Sequence, residues 1–201
     1  MMGRGEFAYL VAQTALITPF RAFSGGSEVA GEATMLSPDA YTSVVWALAV
    51  TPDGQHIISS SGDTLVKVWS VASKSLVSTC AGHTNSVCTV AAMADGQRIL
   101  SGGYDNTVRV WLLNGTLKNT FELHTGMVLA LVALPDNQHA LSGSRDKTVK
   151  LFNVNDGDVL RTFAHHAAFV SSLALLPDGL RFVSGSYDKT ARIVYHGLAP
   201  Q

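Results

Sequence analysis

Serine, histidine and aspartate recur at fixed spacing in this sequence. Together they are the nucleophile, base and orienting acid of acyl transfer. Ser59, Ser101, Ser142 and Ser184 each precede an aspartate by four residues: Asp63, Asp105, Asp146 and Asp188. These aspartates stand 42, 41 and 42 residues apart. His83, His124 and His166 stand 22 residues before the last three of them, and Tyr41 takes that place before the first. Six residues after the aspartates come Trp69, Trp111, Phe152 and Val194. A hydrolase needs one exposed serine, one oriented base and one oxyanion hole. A set copied into every period argues instead for a structural duty, tying a turn to its strands. Serine hydrolysis stays as the enzymatic alternative, and it requires a single reactive serine among many.

Other chemistry is thinner. His165-His166 is a tempting metal pair, but no cysteine or carboxylate lies at ligand spacing around it, so no metal and no cofactor are expected. Gly102-Gly103 lies between strand and turn and precedes no helix, so it is no phosphate loop. Asn114-Gly115-Thr116 matches a glycosylation acceptor but reads first as a hairpin turn. Lys67, Arg109, Lys150 and Arg192 share one repeat position and read as a solvated stripe with their stems over apolar neighbours.

Composition narrows the classes further. Fourteen Lys and Arg against fifteen Asp and Glu leave a net charge of −1, without the positive excess of a nucleic-acid binder or a polybasic membrane tether. Charged residues make up only 14% and the mean hydropathy is +0.22, so little of the surface is defended against association. Cys80 and Cys88 are too few for a disulfide framework and read as free thiols of an intracellular protein. Phe7–Ile17 is the longest apolar run, and Gln13 and Thr14 interrupt it, so neither a membrane span nor a secretory signal is expected.

The elements that must position these residues are short strands. Each period of 41–42 residues holds about four of them, punctuated by TPDG, ADGQ, PDNQ and PDGL. In the second period, Val87–Ala92 is a nearly continuous apolar run, the mark of a strand covered on both faces. Thr107–Leu112 alternates and reads as half exposed. Repeats are placed at about 41–75, 76–116, 117–158 and 159–195. Residues 1–40 read as a non-repeat, partly disordered extension. Within it, Ala33–Leu36 holds the register of a strand before Tyr41.

The period, the four strands and the Gly-His to Trp offsets resemble the WD40 β-propeller family. Gly82-His83, Ser101, Asp105 and Trp111 carry the match, with Pro-Asp-Gly at 52–54 and 177–179. The family's Trp-Asp dipeptide is nowhere intact. It reads Trp69-Ser70, Trp111-Leu112, Phe152-Asn153 and Val194-Tyr195. The resemblance implies an all-β fold of four-stranded antiparallel blades. It also implies a buried relay from indole N–H to serine, serine to histidine and histidine to aspartate. Only the second repeat can complete that relay.

Propellers hold about four to eight blades, and seven is usual in the resembled family. Four repeats imply an open arc or a small strained ring, and the last lacks an outer strand unless Ala33–Leu36 supplies it. Three readings follow: part of a longer propeller without independent activity, a half-ring completed by another chain, and a closed small ring. In the resembled family, the residue before each tight-turn aspartate and the residue three past each histidine project from the partner-binding face. Here these are Gly62, Tyr104, Arg145 and Tyr187, with Val44, Ser86, Met127 and Phe169. Tyr104, Arg145, Tyr187, Met127 and Phe169 are therefore the protein-binding candidates. The expected function is a non-enzymatic scaffold for other proteins, with open blade edges as a route to a homo-oligomer.

Overall fold

A computed structural model of the protein describes residues 40–198. Among them are fifteen strands and no helix, in four antiparallel sheets. Blade one holds β1 (Val45–Val50), β2 (His56–Ser61), β3 (Leu65–Ser70) and β4 (Leu76–Ala81). Blade two holds β5 (Val87–Ala92), β6 (Arg98–Gly103), β7 (Val108–Leu112) and β8 (Leu117–Phe121). Blade three holds β9 (Val128–Ala133), β10 (His139–Ser144), β11 (Val149–Asn153) and β12 (Val159–Phe163). Blade four has three strands among the described residues: β13 (Val170–Leu175), β14 (Arg181–Ser186) and β15 (Ala191–Tyr195). Every sheet is a meander, and the inner strands β1, β5, β9 and β13 neighbour one another in that order. The extension before residue 40, with Ala33–Leu36 inside it, lies outside the described residues.

Two turns repeat in each blade, and aspartate sets both. In the turn between the first and second strands, Asp53, Asp95, Asp136 and Asp178 accept the backbone N–H two residues on, at 2.9, 2.8, 2.9 and 2.9 Å. The residue between donor and acceptor is left-handed. Gly54, Gly96 and Gly179 have φ of 70°, 66° and 66°, and Asn137 has 59°. In the tight turn between the second and third strands, Asp63, Asp105, Asp146 and Asp188 repeat the device at 3.2, 3.2, 3.0 and 2.9 Å. There the left-handed residue is never glycine: it is Thr64, Asn106, Lys147 or Lys189.

The core lies between blades. Ile58, Val66 and Val68 of blade one meet Val87, Val90 and Ile99 of blade two. Leu100, Val108 and Val110 meet Val128, Leu131 and Ala140 of blade three. Leu141, Val149 and Leu151 meet Val170, Leu173 and Phe182 of blade four. An interior blade is thus covered on both faces, which corrects two expectations. The alternating strand β7 is not half exposed, since Val108, Val110 and Trp111 are all buried. The basic residues form no solvated stripe either. Lys67 is buried, 4.5 Å over the Tyr41 ring and 3.9 Å from the Asp63 carboxylate, and Lys150 donates to the Leu123 carbonyl at 2.6 Å. Only Arg192 is exposed, on a blade with no fourth strand beside it among the described residues.

Candidate functional site

The second strand of each blade holds the serine, the third holds the aromatic, and the loop before the first strand delivers the histidine. In blade two these meet in one chain. The Trp111 indole N–H donates to Ser101 Oγ at 2.8 Å, Ser101 lies 2.7 Å from His83 Nε2, and His83 Nδ1 lies 2.7 Å from Asp105. With His83 neutral and its proton on Nδ1, every bond has one donor and one acceptor: Ser101 donates to Nε2, and Nδ1–H donates to Asp105. Burial drives the His83 pKa down, against the pull of Asp105, and this favours the neutral ring. Burial would raise the Asp105 carboxyl, but the His83 ring, the Thr107 backbone N–H and the Thr107 hydroxyl hold it below the usual carboxylate range.

The other blades keep parts of this chain. His124 stands 2.7 Å from both Ser142 and Asp146, with its pKa again lowered chiefly by burial, while Phe152 fills the indole place without an N–H. His166 stands 2.7 Å from Ser184 and 2.8 Å from Asp188, and Val194 fills the last place. The Thr190 hydroxyl leads the donors that hold the Asp188 carboxyl low. In blade one Trp69 donates to Ser59 at 3.0 Å, and the Tyr41 hydroxyl bonds the same Ser59 oxygen. Asp63 has no histidine and takes the Thr42 N–H and Lys67 instead. Sequence reasoning missed Thr107, Thr148 and Thr190, whose hydroxyls bond the aspartate two residues before them at 2.9, 2.6 and 2.6 Å. Their signal was the same period, broken only by Leu65.

Ser59, Ser101, Ser142 and Ser184 are all buried, so no substrate carbonyl can approach their Oγ atoms without opening a blade. His165, the other half of the tempting metal pair, is exposed and lies tilted against Phe163 with ring centroids 6.3 Å apart. No group of three His, Cys, Asp or Glu side chains suited to a metal occurs among the described residues.

The binding candidates come together on one face. The residue before each tight-turn aspartate donates its backbone N–H to the residue three past the histidine position. The pairs are Gly62 with Val44, Tyr104 with Ser86, Arg145 with Met127 and Tyr187 with Phe169, at 2.9, 2.9, 2.9 and 3.0 Å. Between blades three and four the side chains also join. The Arg145 guanidinium lies 4.7 Å over the Phe169 ring and 3.8 Å from Met127 Sδ, and Phe169 packs at a tilt against Tyr187 with ring centroids 5.7 Å apart. A shallow cleft opens there, with Asn106, Thr125 and Gly126 on its other walls. Arg145 forms no salt bridge with a described carboxylate, and half of the Tyr187 surface is exposed.

Antiparallel blades arrayed along their inner strands, each braced by a buried serine relay, define a β-propeller array. The family description "WD domain, G-beta repeat" matches residues 34–70, 74–111, 115–153 and 157–194, and the chain belongs to this WD40-repeat family. Each matched repeat after the first opens on the outer strand of the preceding blade, so a blade straddles two sequence repeats. Among solved structures, the crystal structure of the WD40 beta propeller domain of Doa1 is similar at 33% identity with a TM-score of 0.70. The match covers 76% of this chain and 50% of that one, so the chain spans about half the length of the domain it resembles. No curated protein matches.

Proposed function

We propose that this protein is a non-enzymatic interaction scaffold that takes protein partners on the face carrying Tyr104, Met127, Arg145, Phe169 and Tyr187. WD40 propellers generally bind other proteins, and the site on this chain is the finer reading. The observation that carries it is the joined cluster of Met127, Arg145, Phe169 and Tyr187 across two blades. The turns themselves do not ask for these residues, since blade one builds the same backbone pair from Gly62 and Val44. Tyr and Arg concentrate binding energy at interfaces, and Met is enriched there. Burial of the four relay serines supports a scaffold over a hydrolase. The free thiols of Cys80 and Cys88 support an intracellular setting.

The test is an affinity pull-down with the wild type, the triple variant Tyr104→Ala/Arg145→Ala/Tyr187→Ala, and a control altered on the opposite side, Gln55→Ala/Gln97→Ala. Partners that survive the control and vanish with the triple variant support the site. Partners that bind all three proteins equally overturn it.

A further inference from the structure

Each apolar cluster in this protein joins two sheet faces of opposite kind, a trailing face on one blade and a leading face on the next. Among the described residues the chain makes that joint three times, and the leading face of blade one and the trailing face of blade four have no neighbouring blade; on the former, Lys67 and Trp69 are buried beside Tyr41, and the inner strand is exposed. Strand register identifies them. Val87 and Val90 on the leading face of blade two are 0% and 2% exposed. Their equivalents on blade one, Val45 and Leu48, are both 43% exposed. On the trailing faces Val68, Val110 and Leu151 are 0%, 1% and 0% exposed, while their equivalent on blade four, Ile193, is 65% exposed. Large apolar side chains this exposed on the inner strand of blade one and the third strand of blade four are what interfaces look like before they meet.

We propose that the two faces cover each other between copies of this chain. The leading face of blade one in one copy packs on the trailing face of blade four in a second, and the reciprocal contact closes the pair. One observation favours a second copy as the occupant. The contact these two faces lack among the described residues is the one the chain already makes three times, with the same register and the same kinds of side chain on each side. The joint is head-to-tail within each interface, and two-fold symmetry makes it a closed pair rather than a fibre. Eight blades lie within the range that propellers reach. This inference does not rest on the binding face proposed above, whose side chains lie on the loop surface and not on the blade flanks.

Sedimentation equilibrium tests it on the whole chain, with circular dichroism as the check of folding. The wild type is expected at twice its 21.3 kDa mass. Leu48→Asp and Ile193→Asp each place a charge in the apolar joint and should weaken self-association at least about a hundredfold. Both side chains are exposed in a single copy, so the strand signal should be unchanged. Mixing the two variants restores one good joint, since each retains the face the other has lost, and a weaker pair should reappear. A wild type that stays monomeric to about 100 µM overturns the proposal, and the faces then belong to other parts of this chain or to another protein's blades. A dimer indifferent to both substitutions, no recovery on mixing, or open-ended polymers would overturn it as well.

Discussion

Replacing Asp105 with alanine removes the acceptor at the end of the only complete relay among the described residues. Its carboxylate takes four bonds: from His83 Nδ1 at 2.7 Å, Thr84 N at 3.1 Å, Thr107 N at 3.2 Å and the Thr107 hydroxyl at 2.9 Å. The His83 side chain is 0% exposed, so its Nδ1–H cannot turn to water, and the one alternative is the Thr107 hydroxyl at 3.5 Å. A buried donor left without a partner costs about 1–3 kcal/mol. The Thr84 N–H lies in an exposed loop and recovers much of its loss from solvent, while the Thr107 N–H is half-buried. The expected cost of Asp105→Ala is therefore about 2–3 kcal/mol, read from urea titrations followed by tryptophan fluorescence. Asp188→Ala should cost less than Asp105→Ala, because its relay ends at Val194 and ties down no indole. If Asp188→Ala destabilised the protein more than Asp105→Ala, the completeness of the relay would not be what sets the stability of a blade.

Two further outcomes follow from the same geometry. Burial lowers the His83 and His124 pKa values below the ordinary value of about 6.5, so above that pH both folded and unfolded rings are neutral and stability is flat. Below it the unfolded rings take up protons first and stability falls until the folded-state values are passed; a urea midpoint that rose between pH 7 and pH 5 would contradict this. A second loss begins near pH 4, where Asp105, Asp146, Asp95 and Asp136, all held low in the folded protein, gain protons first in the unfolded chain. Thr64 is β-branched with φ 75°, a conformation costing a side chain about 1–2 kcal/mol, so Thr64→Gly should raise stability by up to about 1 kcal/mol after its own entropy loss. A lower thermal midpoint for that variant would show that the turn is relaxed.

Much of the fold was legible because a repeat multiplies weak signals. One Ser-His-Asp set says little, but His83, His124 and His166 at the same offset from three aspartates specify a shared geometry, and the distances repeat to within about 0.1 Å. The basic position was misread because alternation in a single strand does not tell whether the second face meets water or another blade. Lys67 looked like a solvated lysine, and its burial follows from the Tyr41 ring beneath it and the β4 strand beside it, both distant in sequence or contributed by the next repeat. The threonines two residues past each aspartate carried the period as plainly as the serines. They passed unnoticed because threonine is an ordinary strand residue. The binding candidates were found by register alone, but the stacking of Arg145 on Phe169 depends on how blades three and four sit together, which no single repeat encodes.

The claim beneath all of this is that the recurrent serine, histidine and aspartate hold blades together and perform no reaction. The stability of Ser101→Ala tests it most directly. Ser101 is 0% exposed and serves Trp111 and His83 at once. A brace predicts a loss of about 2–4 kcal/mol, because two buried groups lose their partner together. A serine kept for catalysis predicts the opposite, since removing a strained reactive group leaves stability unchanged or raises it. An unchanged or higher urea midpoint for Ser101→Ala would contradict the structural role.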